Sequence, residues 1–295
     1  MSSNRVLAGL GLALLSAVGY GANVPFARQA SLVGVSGPDI VFYRAFLILA
    51  LLAGLVLAGG GSLSVPAPAR RLVAGLGFFT SFVALCYISS VAFIPVGVAT
   101  IIFYTFPLVI LVVSPFVDGQ RLTAPRIAIF LIAFAGLVIA IGPHFAVLDP
   151  RGLLLAAGAA FGATGQFFFA ARATRAVDPS VAGFWTQLML IPVALATCLL
   201  MGGPVPPAAL AAALVPVGAT CLLFVFAFSL HLASARLAPP AALGLIFCAE
   251  PVTSILVASH ILDEHLTQAQ LVGGSLVLVA ILAGVLLESR KTVPA

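Results

Sequence analysis

Hydrophobic residues follow one another in long runs along this chain, and polar residues are confined to the short breaks between the runs. A helix needs about 20 mostly apolar residues to cross the hydrocarbon core of a bilayer. The runs, separated at Gly, Pro and charged positions, predict ten spans near 6–26, 38–58, 70–91, 95–116, 124–142, 152–171, 180–200, 208–232, 238–260 and 268–287. Because the connections are too short for a soluble domain, the pattern predicts an all-α polytopic membrane protein with ten transmembrane helices.

One stretch, 237–267, is unusual because a carboxylate followed by a proline, Glu250-Pro251, interrupts an otherwise apolar run. The same layout occurs 144 residues upstream in 94–123, where Pro107 corresponds to Pro251 and an apolar residue replaces the acid. A proline removes one backbone hydrogen bond, so each helix should loosen about one turn before its proline. The two stretches therefore indicate an internal repeat in which only the second copy carries the acid.

The repeat extends to the front of each half, where the offset is 141 and Tyr20-Gly21-Ala22 corresponds to Phe161-Gly162-Ala163. Each half then contains five spans, an odd number, so the second half must enter the membrane from the opposite side. The chain is predicted to form two five-helix inverted-topology repeats, 1–143 and 150–290. Such repeats place substrate sites near the midplane and permit alternating access.

Composition and charge agree with this architecture. Hydrophobic residues make up 62 % and charged residues 7 % of the 295 residues, which no soluble fold of this length could bury. With the N-terminus in the cytoplasm, ten of the 13 basic residues fall in cytoplasmic segments, namely Arg5, Arg70, Arg71, Arg121, Arg126, Arg172, Arg175, Arg236, Arg290 and Lys291. Only Arg28 and Arg151 fall on the other side. The positive-inside rule therefore predicts cytoplasmic termini, and the net charge of +5 indicates membrane orientation rather than nucleic-acid binding.

Metal, disulfide and cofactor chemistry are not indicated. The four cysteines lie in apolar runs without a C-x-x-C pair, which favours buried thiols: Cys86, Cys198, Cys221 and Cys248. The four histidines fall at or near predicted span ends and are interpreted as interface residues: His144, His231, His260 and His265. Residues 1–25 lack a convincing cleavage site and have a counterpart in the second half, so we interpret them as a span rather than a signal peptide.

Several short motifs resemble a known family. They are Tyr20-Gly21-Ala22-Asn23, Arg44, the PVGVA run that begins at Pro95, Glu250-Pro251, and Asp263-Glu264-His265-Leu266-Thr267. Together they resemble the ten-span EamA-type exporters of the drug/metabolite transporter superfamily, although the tryptophan common near Tyr20 and Phe161 is absent here. The resemblance implies a secondary transporter of the bacterial inner membrane, closest to the branch that exports amino acids and in particular aromatic ones. It implies a small-molecule substrate, a lipid environment, and a monomer or weak homodimer.

Glu250 is the leading candidate for chemistry. A carboxylate in the middle of a span is costly and rarely lacks a partner or a function. It could meet a substrate ammonium group or take up a proton during the transport cycle. Alternatively, it could hydrogen-bond a neighbouring helix and hold the proline break together, and the sequence leaves both interpretations open.

Arg44 and Trp185 are corresponding positions of the two halves. Arg44 lies about 9 Å into the second span, so it could meet a substrate carboxylate, close a salt bridge, or snorkel to the interface beside Asp39. Trp185, the single tryptophan, is either an interfacial anchor or part of a cavity wall.

Further candidates are amides and aromatic residues within the spans. Tyr20 and Asn23 share a helix face, and Asn23 and Gln166 either join helices or line a wet cavity. An aromatic wall for an apolar substrate group could come from Phe78, Phe82, Phe103, Tyr104 and Phe247, whose alternative role is core or lipid-facing packing.

A transporter fits these observations better than other membrane proteins. An intramembrane enzyme would need clustered His, Cys or acidic residues on facing helices, and a channel would favour rings of like groups. No P-loop is present, which argues against a primary pump in this chain.

Pro107 and Pro251 are expected to act as hinges. Drugs, nucleosides or sugars, exported or imported, remain alternative substrates, and the coupling ion is left undetermined.

Overall fold

The computed structural model describes residues 3–142, 148–262 and 265–290, and these form helices joined by short connections, without any strand. The helices of the first half are α1 (Ser3–Leu32), α2 (Gly37–Ala58), α3 (Ala67–Ser90), α4 (Val96–Phe103), α5 (Phe106–Val117) and α6 (Ala124–Ile141). Those of the second half are α7 (Pro150–Ala176), α8 (Pro179–Leu200), α9 (Pro207–Ala212), α10 (Leu214–Leu237), α11 (Pro240–Phe247), α12 (Ala249–Ile261) and α13 (Gln268–Arg290). Of the sequence motifs, Asp263-Glu264 and His144 lie outside the described residues.

The prediction of ten spans is confirmed for the described part of the chain, where α4–α5 and α11–α12 each form one interrupted span and α9 is a short connecting helix. The bounds differ most at α1, α7 and α10. α1 and α7 are longer than predicted because they continue past the charged residues taken as their ends. α10 is displaced toward the C-terminus relative to the prediction of 208–232, because residues 207–212 form the separate helix α9.

The packing of the helices follows a pseudo-two-fold relation between the halves. α1 packs along α10, and their counterparts α7 and α3 pack along each other in the same way. Other pairs join equivalent elements of the two halves, namely α2 with α8 and α6 with α13, and α5 of the fourth span packs against α11 of the ninth. Every one of these pairs joins the two halves, so the central space belongs to both. The two-repeat, all-helical architecture predicted from the sequence is confirmed.

Small residues allow the paired helices to approach closely. A Cβ atom built on Gly9 of α1 would lie 2.9 Å from the Cβ of Ala238 at the end of α10. A Cβ on Gly136 of α6 would lie 2.7 Å from the carbonyl oxygen of Gly273 in α13. In lipid, where apolar surface gains nothing by leaving the solvent, such backbone contacts supply much of the association between helices.

The fourth and ninth spans are broken one turn before their prolines, as predicted. α4 ends at Phe103 and α11 at Phe247, which are the residues whose carbonyls would have accepted a hydrogen bond from Pro107 and Pro251. The chain resumes helical geometry in α5 and α12. The two breaks expose polar backbone near the middle of the bundle, where only protein or water can satisfy it.

Polar contacts tie the helices together at both ends of the bundle. On the face that carries the termini, Arg126 of α6 is 6 % exposed and forms an ion pair with Glu288 of α13. On the opposite face, the backbone N–H of Val205 donates to the Asp39 carboxylate at 3.1 Å, and the Tyr43 hydroxyl donates to the Val205 carbonyl at 2.6 Å. Polar contacts therefore join the two halves at both faces.

Candidate functional site

A continuous set of aromatic rings fills the centre of the bundle, and we call it the aromatic cluster. Its members come from both halves and are Tyr20, Phe103, Tyr104, Phe106, Phe167, Phe224, Phe228, His231 and Phe247. Neighbouring ring centroids lie between 4.7 and 6.2 Å apart. Such offset and edge-to-face contacts are individually worth about 1 kcal/mol, and together they form a wall suited to flat or apolar groups.

Glu250 lies at the edge of the aromatic cluster, in the first turn of α12 and directly after the helix break. Its side chain is half-buried and interacts with the hydroxyl of Tyr104. The helix α1 approaches this point through Gly21, where a Cβ would collide with the Glu250 carbonyl oxygen and lie 2.7 Å from the Cβ of Thr253. The sequence folds this way because the proline break frees α12 from α11 and the missing side chain of Gly21 admits it against α1.

Arg44 of α2 points into the bundle. Its guanidinium carbon lies 3.4 Å from the ring centroid of Phe224, a cation–π geometry. Its Nε is buried and has no hydrogen-bond partner among the described residues. The Asp39 carboxylate, meanwhile, caps α2 through Ser36. The interpretation of Arg44 as a side chain that snorkels beside Asp39 is therefore wrong.

Tyr20 of α1 is within electrostatic range of both Arg44 and Glu250, and we call these three residues the polar triad. The hydroxyl of Tyr20 interacts electrostatically with both charged groups, and its ring packs against Phe224 at 5.3 Å and Phe247 at 6.1 Å. Within the described residues, neither Arg44 nor Glu250 has an ion-pair partner. Two groups of opposite charge thus lack an ion-pair partner among the described residues, and Tyr20 is in electrostatic range of both.

Three of the predicted aromatic residues, Phe103, Tyr104 and Phe247, belong to the aromatic cluster. Phe78 does not: it is 56 % exposed and stacks on Phe82 at the outside of α3. Apolar residues on the lipid side and on the core side of a membrane helix look alike in a sequence, because both environments favour them.

Trp185 lies apart from the aromatic cluster. It is half-buried, and its indole N–H donates to the carbonyl oxygen of Leu63 at 2.7 Å, in the connection between α2 and α3. An indole placed at a span end with its N–H bonded to a loop is typical of an interfacial anchor.

The two amides differ in their surroundings. Asn23 is buried, donates to the Thr220 carbonyl at 3.3 Å and accepts from the Thr220 hydroxyl at 2.7 Å, so it joins α1 to α10. Gln166 is half-buried on α7 and lies about 100° around that helix from Phe167 of the aromatic cluster. These contacts match the interpretation of Asn23 as a residue that joins helices rather than one that lines a wet cavity.

Sequence reasoning misplaced His231. It is 6 % exposed, in contact with Phe167 and Phe247, and lies within α10 rather than at an interface. The prediction was wrong because the small and polar residues after 232 resembled a loop, whereas they continue the helix to Leu237. The spacing of Phe224, Phe228 and His231 by four and three residues was a usable signal, since it places all three on one helix face.

Gln187 of α8 was also missed. It is 1 % exposed, and neither amide atom has a hydrogen-bond partner in the described part of the chain. It follows Gly183 by one turn, and a Cβ on Gly183 would lie 3.1 Å from the Phe228 ring. Gln187 therefore lies on the face of α8 that meets the aromatic cluster, although no periodic signal in the sequence distinguishes it.

Comparisons with known proteins agree with this architecture. The profile of the EamA-like transporter family matches residues 7–142 and 150–286, one match in each half. A solved crystal structure aligns with a TM-score of 0.78 and 23 % sequence identity, covering 99 % of this chain and all of the other, which shows the fold alone.

Two curated relatives are named S-adenosylmethionine uptake transporter. The protein from Rickettsia conorii is 27 % identical over 146 residues, and that from Rickettsia bellii is 28 % identical over 144 residues. The aligned part spans about half of this chain and about half the length of each relative. The family profile, in contrast, covers nearly the whole chain in two copies that coincide with the two structural halves. The chain therefore belongs to the EamA-like transporter family of membrane transporters.

Proposed function

We propose that this transporter carries small zwitterionic metabolites that contain an α-amino acid group, with S-adenosylmethionine and free amino acids as the substrates to test first. The observation that carries the proposal is the polar triad. Arg44 supplies a positive charge for a substrate carboxylate, and Glu250 supplies a negative charge for its ammonium group. Tyr20 is in electrostatic range of both charged groups and adds a hydroxyl that can serve as a further hydrogen-bonding group for the substrate.

The aromatic cluster favours a substrate with a flat or cationic side group. Phe224, Phe247 and Tyr20 present ring faces and edges next to the polar triad. Such rings attract a sulfonium or an ammonium group through their quadrupoles and stack on a heteroaromatic ring. S-adenosylmethionine combines an amino-acid group, a sulfonium and an adenine, whereas phenylalanine combines an amino-acid group with a phenyl ring.

The two curated relatives support S-adenosylmethionine rather than the aromatic amino acids to which the sequence motifs pointed. Their names also support uptake, whereas the motifs implied export. A secondary transporter moves its substrate in the direction set by the gradients, so both directions belong to the test below.

The proposed mechanism is alternating access between the two halves, taken as 1–143 and 150–290. Pro107 and Pro251 act as hinges, because the helix breaks next to them allow α4 and α11 to tilt without breaking further backbone hydrogen bonds. The central site then opens to one face of the membrane, while the contacts between the halves at the other face keep that end of the site closed. The proposed orientation places both termini in the cytoplasm of a bacterial cell, with the protein in its inner membrane.

Glu250 couples transport to protons in this proposal. A carboxylate held against Tyr104 at membrane depth can be neutralised either by the substrate ammonium or by a proton, but not by both at once. Competition between the two for one site links substrate movement in one direction to proton movement in the other.

The proposal is tested with purified protein in liposomes. Uptake and efflux of labelled S-adenosylmethionine, methionine and phenylalanine are measured with and without a pH gradient, for the wild type and Glu250→Gln. We expect the gradient to stimulate wild-type transport of at least one of the three, and Glu250→Gln to lose that stimulation. Asp178→Asn, a change at an exposed acid outside the site that can still accept the hydrogen bond from the backbone N–H of Ser180, serves as the matched control and should behave as the wild type.

Each alternative outcome identifies the part of the proposal that fails. Transport that is independent of the gradient and retained by Glu250→Gln would make the protein a facilitator and Glu250 a structural residue. No flux of any amino-acid-bearing solute would reject the substrate class, and drugs, nucleosides and sugars would be tested next.

A further inference from the structure

The side chain of His231 is a polar group without an assigned role in the centre of the bundle. Its ring centroid lies 4.7 Å from Phe247, 5.0 Å from Phe167 and 6.2 Å from Tyr20. The residue is 6 % exposed, and its Nε2 is completely buried without a hydrogen-bond partner among the described residues. A phenylalanine would make the same ring contacts without burying an unsatisfied nitrogen.

Buried polar atoms without a partner are rare in folded proteins, and each one calls for a specific explanation. In a membrane bundle the penalty is not relieved by bulk water. A nitrogen surrounded by aromatic rings that suit a flat ligand is explained most directly by a ligand atom that pairs with it when the site is occupied. The imidazole can meet either kind of polar edge, because its neutral ring offers one donor and one acceptor.

The position of His231 relative to Arg44 determines what kind of ligand can reach both. Arg44 lies over Phe224, and His231 follows Phe224 by seven residues on the same face of α10, about 10 Å along the helix. Tyr20 contacts both Phe224 and His231 and so spans the interval. A substrate whose carboxylate meets Arg44 must therefore extend well beyond its amino-acid group to reach the imidazole.

We propose that His231 determines substrate specificity by hydrogen-bonding the polar edge of a heteroaromatic ring that is stacked in the aromatic cluster. The inference rests on the proposed function, and it adds that the preferred substrates carry a hydrogen-bonding ring such as adenine beyond the amino-acid group. Substrates that end in a phenyl or an alkyl group leave Nε2 unpaired and are transported less well.

The test compares three labelled probes in liposomes that contain the full chain: S-adenosylmethionine, phenylalanine and methionine. The measured quantity is the ratio of kcat/KM for S-adenosylmethionine to that for each of the other two. His231→Phe should lower both ratios at least tenfold, because only the probe with a polar ring loses a partner. His231→Gln, which can still hydrogen-bond, should keep the ratios closer to the wild type, and the exposed His260→Phe should leave them unchanged.

A measurement on the wild type alone guards against a variant that does not fold. Adenosine, which offers the ring edge without the amino-acid group, should inhibit S-adenosylmethionine transport, whereas ribose should not. Ratios in folded His231→Phe that stay within about twofold of the wild type, or wild-type transport that adenosine does not inhibit, would overturn the role of His231. Absence of wild-type transport for all three probes would instead reject the proposed function.

Discussion

Arg44 shows how much a single side chain in a membrane bundle depends on its surroundings. A guanidinium at this depth is stable only when aromatic faces, polar groups or a ligand replace its hydration. The ring of Phe224 at 3.4 Å supplies part of that replacement, but the buried Nε has no partner among the described residues. The planar fork of Arg44 is therefore available for a bidentate contact with a carboxylate, which a lysine could not make.

We expect Arg44→Gln to raise the KM for an amino-acid-bearing substrate by roughly ten- to hundredfold. The estimate follows from the loss of charge-assisted hydrogen bonds worth about 1.5–3 kcal/mol, with 1.4 kcal/mol for each factor of ten. Arg44→Lys should be intermediate, because it keeps the charge without the fork. Transport kinetics in liposomes measure the effect.

The matched control is Arg71→Gln, which removes an exposed arginine near the start of α3. It should leave KM unchanged. A KM for Arg44→Gln that equals the wild-type value would remove Arg44 from the substrate site and assign the residue to helix packing.

At the scale of the helices, two features cooperate to form the site: the proline break that frees α12 and the glycine that lets α1 approach it. Gly21 contacts the backbone of α12 at the turn that carries Glu250. Because the neighbour is backbone rather than a flexible side chain, the helices cannot adjust locally to an added methyl group.

We therefore expect Gly21→Ala to displace α12 and reduce transport more than about tenfold, since moving Glu250 weakens charge-assisted hydrogen bonds to the substrate worth about 1.5–3 kcal/mol. The thermal unfolding temperature should fall as well, through overpacking of about 1–3 kcal/mol. Transport and thermal unfolding in detergent are the measurements.

Gly11→Ala, ten residues earlier on α1, is the matched control, because no atom lies within 4 Å of a Cβ added there. It should leave transport unchanged and should not lower the unfolding temperature, because an unobstructed Gly→Ala change inside a helix favours the helix. Equal behaviour of the two variants would mean that the contact between α1 and α12 is loose in the membrane.

At the scale of the whole molecule, polar contacts at the two faces connect the halves that the proposed mechanism moves apart. The ion pair of Arg126 with Glu288 is buried, with side-chain exposures of 7 % and 15 %. Arg126 also donates to Gln120 at 2.8 Å. A buried and hydrogen-bonded pair is costly to break by removing one partner, unlike a pair on the surface.

A double-mutant cycle with Arg126→Gln and Glu288→Gln should yield a coupling free energy of roughly 2 kcal/mol in detergent unfolding. The exposed pair of Arg151 with Asp149, at 2.7 Å, provides the control, and Arg151→Gln should leave stability unchanged. A coupling free energy of zero for the buried pair would show that it does not hold the halves together.

The sequence by itself determined the number of spans, the duplication of five helices, the two helix breaks and the presence of a single acid beside one of them. All of these follow from local properties. Hydropathy over 20 residues defines a span whatever its neighbours are, and a proline breaks the turn before it through its own missing N–H.

Only the tertiary structure decided which side of each helix faces the centre. Phe78 and Phe247 lie in equally apolar runs, yet Phe78 is 56 % exposed and Phe247 only 3 %. The inward direction of Arg44 and the burial of His231 likewise depend on helices that are distant in the sequence. In a membrane protein lipid and core are both apolar, so the periodicity that reveals the inner face of a soluble helix is weak, and contacts between helices determine the site.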